Sequence, residues 1–339
     1  MRIIAELAPG GEEQPRKSLT TVSSWVRWRD RKHNDYGEKI SMVAIALPYR
    51  LERTIERIRR FGRSLRVKDD QEKRRRLAAT MIRRGAELEH FIDERAGYAT
   101  FPPGMIHDVA SAVEFAQQTR AERRQPADKK KGDYRSTIVG AKRYEDGPQF
   151  FDLALSDDVL QITSEYLREI PILTTIKLWH SPCGRDATLM GSQLYHRDEG
   201  QWLRRGLKFL ICMDKVDASC GPFIFLQADV SKRVSEALGS MRYQDHISDE
   251  LVYRHARPSD AHVLIGEAGT GAVIDSFRCF HYGARSQGSE RLMLQLQFAR
   301  RVDCIDGGRI RRSAGFVKRF GDDPIRKLVI PNAEQGLDA

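Results

Sequence analysis

Nowhere in the 339 residues is there a run of about 18 apolar side chains, the length needed to cross a bilayer as a helix. The opening stretch MRIIAELAPGGEEQPRKS is too briefly apolar, and too acidic, for a secretory leader. Cysteine is scarce and unpaired in pattern: Cys183, Cys212, Cys220, Cys279 and Cys304 form no C-x-x-C and are odd in number. That excludes a zinc knuckle of paired cysteines and argues against a disulfide framework, so reduced thiols in a cytoplasmic protein are expected. No internal repeat is present. Forty per cent hydrophobic residues suffice for a substantial core, which excludes global disorder.

The tripeptide His196-Arg197-Asp198 resembles a kinase catalytic loop, but the partners that phosphoryl transfer needs are missing. Leu203 stands where a magnesium-binding Asn would follow, no Asp-Phe-Gly lies downstream, and no Gly-x-Gly-x-x-Gly loop lies upstream. The one glycine cluster, GEAGTGAV at 266–273, comes after the tripeptide. A kinase is excluded.

What is present is charge, unevenly placed. The net charge is +10, and residues 1–135 account for all of it, with 30 Lys and Arg against 20 Asp and Glu. Two regions with different tasks are therefore expected: a basic, mainly helical region over 1–135 and a second domain over 136–315, followed by a tail over 316–339. The three- and four-residue recurrence of Ile55, Ile58, Phe61 and Leu65, continued by Leu77, Met81, Leu88 and Phe91, predicts helix from 51 to 93. Between these apolar positions the arginines read as a solvated face. A further helix is expected over 104–123, a charged linker over 123–136, and a helix over 157–169 with acidic residues in its first turn.

From Pro171 the texture changes to short β-branched and aromatic runs: ILTTIKLW, ATLMGSQLYH, LKFLICMDKV, PFIFLQ, AHVLIG, GAVIDSF and RLMLQLQFA. Turn signals such as SPCG, DASCGP and EAGTG separate them. The expectation is an α+β chain with a double-stranded β-helix, or jelly-roll, core and a helical N-terminal region packed on or beside it.

His196 and Asp198 are two apart, so on extended backbone both side chains share a face and can reach one ion. His281 lies several predicted strands further on and supplies a second imidazole, completing a 2-His-1-carboxylate set of the kind that holds non-haem iron with open positions. Ten residues later comes Arg291, the residue type best suited to a two-point grip on a carboxylate.

His-x-Asp, a distal His and an Arg ten residues on resemble the Fe(II)/2-oxoglutarate dioxygenases, specifically the phytanoyl-CoA dioxygenase-like family. LKFLICMDKVDASCGPFIFLQADVS and HYGARSQGSER are similar to that family's central and final segments. The resemblance covers about residues 140–300 and leaves the basic region outside. QADVS stands where the family often has Pro-Gly-Ser-His, and Met293 stands where a Ser or Thr sometimes follows the arginine.

The resemblance implies Fe(II) held by His196, Asp198 and His281, and 2-oxoglutarate as cosubstrate with Arg291 on its far carboxylate. It also implies O2 as reactant and hydroxylation of a small molecule with release of succinate and CO2. Retention of the Asp198 carboxylate favours hydroxylation over halogenation. Lys208, placed on the inward face of its strand with Leu210, is a further candidate for cosubstrate or substrate contact. So are Lys177 and Gln193.

An anionic substrate is a candidate because the basic region could steer it. The bland readings are a loop histidine bonded to Asp198, strand-edge cations on solvent, and small core cysteines. His246, His255 and His262 lack a carboxylate at ligand spacing and read as structural or surface residues. The alternative function is a nucleic-acid-associated protein using the basic helices, with the β domain auxiliary. It is disfavoured because those helices carry no interleaved surface aromatics and no reading motif.

Overall fold

The structure is a computed structural model, and it describes residues 49–82, 91–122, 134–184, 189–198, 205–238, 246–286, 288–304 and 310–331. The nine helices described are α1 (Tyr49–Arg66), α2 (Lys68–Ile82), α3 (Val109–Glu122), α4 (Pro148–Ala154), α5 (Asp157–Leu167), α6 (Ala228–Ala237), α7 (Asp249–Tyr253), α8 (Ala314–Phe320) and α9 (Pro324–Val329). The strands are β1 (Tyr98–Phe101), β2 (Ser136–Ala141), β3 (Ile172–Ser181), β4 (Gly206–Cys212), β5 (Phe223–Leu226), β6 (Ala261–Leu264), β7 (Gly271–Ile274), β8 (His281–Tyr282) and β9 (Arg291–Ala299). No helix among the described residues is long and apolar enough to cross a membrane.

Two antiparallel sheets form the centre. The larger runs β1-β7-β4-β9-β3-β2 and the smaller β6-β5-β8. Strand alternation assigns each face of the larger sheet a different neighbour. Leu207, Phe209 and Ile211 of β4, with Leu292, Leu294, Leu296 and Phe298 of β9, pack into the same cluster as the helices' Phe150, Leu160 and Ala112. Leu210, Cys212 and Met293 turn the other way, onto Phe223, Phe225 and Leu264 of the smaller sheet. β4 is buried at every position, which explains its near-continuous apolar run.

The core ignores the sequence boundaries at 135 and 315. β1 pairs with β7 inside the larger sheet, and Ile106, Val109, Phe316, Val329 and Ile330 all belong to the helix-side cluster. The composition shift therefore marks where charge is concentrated along a chain whose core is continuous across both boundaries.

Several local expectations are corrected. The helix expected over 51–93 is, over the described residues up to Ile82, two helices that meet at Val67. Residues 91–93 are not helical, and 83–90 lie outside the described residues. The helix expected from 104 starts at Val109, because Pro102-Pro103-Gly104 and a left-handed Asp108 (φ 65°) precede it. ATLMGSQLYH is not a strand over its described part. Gly191, at φ 52°, opens a 3₁₀ turn through Gln193, and only Tyr195 and His196 make bridges. The QADVS segment, which stands where the resembling family often has Pro-Gly-Ser-His, opens α6 with Gln227 at its N-cap. Of the expected linker, residues 123–133 lie outside the described residues.

The basic helices also depart from their pattern. On α1 the apolar stripe is exposed, with Ile58, Phe61 and Leu65 at 66%, 65% and 58% exposure. The polar Arg60 instead turns inward to Asp303, 3.0 Å away. On α2, Arg74 is not a solvated arginine but 1% exposed. Its guanidinium donates to Ile170 O and Leu328 O, both at 2.9 Å, and to Asp70 Oδ2 at 3.1 Å. One side chain thus joins α2, the end of α5 and α9. Arg74→Leu is expected to lower the unfolding free energy by about 2–4 kcal/mol, because the two carbonyls lose their charged donor. Urea denaturation of the purified variant measures this, and an unchanged midpoint would contradict it.

Candidate active site

The two histidines meet through main chain. His196 N donates to His281 O at 3.0 Å and His281 N donates back to His196 O at 2.9 Å. An antiparallel pair of this kind places both side chains on one face, and their ring centroids are 4.4 Å apart. Two residues on, Asp198 N donates to Ser276 O at 2.9 Å, which keeps the chain extended and returns the carboxylate to the same face. One potential ligand atom from each of His196, Asp198 and His281 lies within 4.8 Å of the others.

Both imidazoles are oriented by their own strands. His196 Nδ1 donates to Leu194 O at 2.9 Å and His281 Nδ1 donates to Cys279 O at 3.0 Å. In neutral rings this leaves each Nε2 with its lone pair free to bind a cation. Burial lowers the His196 pKa to about 2 and, helped by the neighbouring Lys208 ammonium, lowers that of His281. Neutral rings are therefore the stable state at pH 7. Burial alone would raise the Asp198 carboxyl, but the Lys208 ammonium beside it holds it well below the usual carboxylate range. The donor set is two neutral nitrogens and one carboxylate, which suits a divalent first-row transition metal.

Beside this cluster is a cavity lined by residues from both sheets, including Trp179 and Ser181 of β3, Lys208 of β4, Phe223 of β5, His281 of β8 and Arg291 of β9. Arg291 is 6% exposed, and its Nε and Nη1 have no hydrogen-bond partner among the described residues. Burial pulls its pKa down to about 10, so at neutral pH it remains a charged guanidinium, with no carboxylate paired to it among the described residues. A buried charge in that condition is expensive, and an anionic ligand is its natural complement. Ser181 sits directly across the ladder from Arg291. Behind the lining residue Ala284, whose N–H donates to Gly221 O at 3.2 Å, the left-handed Gly221 (φ 64°) lets Ser286 approach; a Cβ there would lie 2.3 Å from Ser286 N.

The remaining expected contacts are distributed differently. Lys208 lies in the site, with Nζ 2.5 Å from Asp198 Oδ2 and 3.4 Å from His281 Nε2. Lys177 is outside the cavity lining, with its ammonium 4.8 Å from the Trp179 ring. Gln193 is buried and engaged by main chain: its amide donates to Ala284 O at 2.9 Å and accepts from Met190 N at 3.1 Å. It braces the segment leading to His196 against the loop after His281.

Three features have no counterpart in the sequence reading. Arg135 lines the cavity with its guanidinium 4.2 Å from the Trp179 ring centre. Trp179 Nε1 donates to Gln295 Oε1 at 2.9 Å, which fixes the indole under that arginine. Arg285 grips Asp249 at 2.7 and 2.8 Å and clamps the loop after β8. Of the other histidines, His246 has its ring centre 5.2 Å from that of His196, tilted by 31°, and His262 meets the Tyr98 hydroxyl at 3.1 Å.

No family model matches the chain, and no curated protein matches it. Solved structures do resemble it in part. AviO1 from Streptomyces viridochromogenes Tue57 is 16% identical, with 66% of this chain and 95% of that chain covered at a TM-score of 0.44. EctD from S. alaskensis, solved with 2-oxoglutarate and 5-hydroxyectoine, is 15% identical over 64% of this chain and 75% of that one, TM-score 0.44. EvdO2 from Micromonospora carbonacea var. aurantiaca, complexed with 2-oxoglutarate, is 20% identical over 61% and 87%, TM-score 0.41. At this level of similarity, what the site binds rests on its own residues.

Proposed function

We propose that the protein is an Fe(II)- and 2-oxoglutarate-dependent dioxygenase with a jelly-roll core, of the phytanoyl-CoA dioxygenase-like kind, hydroxylating a small molecule. The observation that carries this reading is Arg291: a buried guanidinium with two unpartnered nitrogens, in one cavity with His196 and His281. Such an arrangement suits a molecule that meets a metal at one end and carries a carboxylate at the other.

His196, Asp198 and His281 would hold the iron, and their three-ligand set leaves positions open for cosubstrate. When bound, Fe(II) supplies the redox chemistry that couples decarboxylation of 2-oxoglutarate, giving succinate and CO2, to insertion of one oxygen atom of O2 into a substrate C–H bond. Arg291 fixes the far carboxylate and so sets the cosubstrate's orientation. Ser181, facing it across the ladder, is placed to supply a second contact to that carboxylate. Phe223 and Tyr282 give the cavity an apolar wall that limits water. The Trp179–Arg135 stack borders the remaining space, where a substrate with an anionic or aromatic group would be received.

The nucleic-acid reading gains a surface aromatic, Phe61 at 65% exposure on α1, but Arg60 of the same helix turns inward to Asp303, and this reading offers no role for the buried Arg291. The decisive test is succinate formation from 2-oxoglutarate by Fe(II)-loaded protein in air, with and without a panel of small carboxylates and phosphate esters. Succinate is expected in amounts that depend on both iron and 2-oxoglutarate. Protein that binds iron yet forms no succinate with any of the panel would count against the reaction class.

A further inference from the structure

We propose that the Lys208 ammonium is an internal stand-in for the metal, and that metal binding must displace it into the cavity. This inference rests on the metal-site reading above and adds a competitor to it from the protein's own chain.

Lys208 occupies the middle of β4, a strand buried at every position, and is itself 7% exposed. A lysine there is costly unless its charge is met. It is met by the metal-binding set: Asp198 Oδ2 at 2.5 Å and His281 Nε2 at 3.4 Å. The tautomer decides what the second contact means. Because His281 Nδ1 donates to Cys279 O, Nε2 carries the ring's one lone pair, and the ammonium must donate to it.

A single lone pair cannot accept from Lys208 and bind a metal at the same time. The two cations also repel at the carboxylate they would share. Metal and ammonium are therefore alternatives at this site.

The displaced side chain has somewhere to go. Lys208 already lines the cavity, no Asp or Glu is among the described residues lining it, and its four-carbon stem is flexible. Loading the metal would thus convert a lysine neutralised by Asp198 into a free cation facing the ligand space. The net charge of the site then rises by the metal's own charge alone, but the ammonium, no longer held on Asp198, adds its field where an anion would enter.

The apparent metal affinity of the native chain is reduced by the fraction of molecules in which Lys208 has vacated the site. Removing the ammonium should remove that reduction. The test is calorimetric titration of Mn(II), without cosubstrate, into the wild-type chain, Lys208→Met and Lys208→Gln, with Asp198→Ala in each background as the loss control. Both neutral variants are expected to bind Mn(II) about tenfold tighter or more. Thermal denaturation supplies the second readout. Metal-free Lys208→Met should melt below wild type, because Asp198 loses its counter-charge, and Mn(II) should raise its Tm by more than it raises that of wild type.

Should Lys208→Met not fold, Lys208→Gln decides, since it keeps a hydrogen-bonding end without the charge. Equal or weaker Mn(II) affinity in folded neutral variants would overturn the competition and leave Lys208 as a residue that positions Asp198. Absence of Mn(II) binding in wild type and variants alike would overturn the metal site itself, an outcome distinct from the previous one.

Discussion

Changing His196 and Asp198 together to alanine is expected to abolish metal binding, the largest effect any substitution here should have. The two side chains supply two of the three donor atoms, and the third, from His281, would be left alone on its strand. A single neutral imidazole binds a divalent metal weakly, and no Asp or Glu among the described residues lines the cavity beside it. The main-chain pairing of His196 with His281 does not depend on side chains, so the strands should keep their register and the variant should fold. Calorimetry with Mn(II), or iron retained after anaerobic desalting, measures the loss. His246 provides an internal check, because its ring lies 5.2 Å from that of His196. If the double variant kept wild-type affinity, the metal would have to sit on other residues.

Arg291→Leu should have the opposite signature: metal binding spared, cosubstrate binding lost. A charge-assisted pair on a buried carboxylate is worth about 2–5 kcal/mol, so the 2-oxoglutarate concentration needed for half-maximal succinate release should rise by about thirtyfold to several thousandfold. The same substitution should raise the Tm of the ligand-free protein. Burial depresses the pKa of Arg291 to about 10, and below that pH the group is charged in both folded and unfolded chains. The desolvation penalty is then fully present at neutral pH and is relieved only as pH rises through the folded value. Leucine removes that penalty and fills part of the same space. A variant that lost stability while its 2-oxoglutarate requirement stayed put would show that Arg291 is a structural residue, and Arg135 would be the next cation to examine.

The part of this site that could be read from sequence was the part written in local spacing. His196 and Asp198 are two residues apart, and Lys208 and Leu210 share strand parity, so period-two geometry alone places them. Arg291 fell inside a strongly alternating run, which set its face as well. Arg135 was missed because it closes a charged segment whose composition looks like linker, although β2 begins at the very next residue. Nothing in its neighbourhood announces Trp179, which lies more than forty positions on and reaches it only through the pairing of β2 with β3.

Arg74 shows the same limit from the other side. In a helix crowded with arginines, sequence offers no sign of which one will face the carbonyl ends of two other helices. The exposed stripe of Ile58, Phe61 and Leu65 carries a caution about periodicity: it identifies an apolar face without saying that the described chain covers it. The segment before His196 misled for a local reason. ATLMGSQLYH has strand-like composition, but a glycine at positive φ turns the backbone before the pattern can be used.

The alternation of β9 has a consequence for how this protein can change over evolutionary time. Arg291, Met293 and Gln295 face the cavity while Leu292, Leu294 and Leu296 face the helices, so catalysis and folding read the same strand in opposite directions. A slip of one residue against β4 would bury a guanidinium among leucines and turn a leucine toward the ligand. Misregistered chains are therefore both unstable and inactive, and no selection could keep one defect without the other. Insertions and deletions are therefore barred from this strand, and the loop after β8, held by Gln193 and Arg285, is tied to the same site. Descendants of this chain can acquire new substrates only by changes that leave β9 locked in phase.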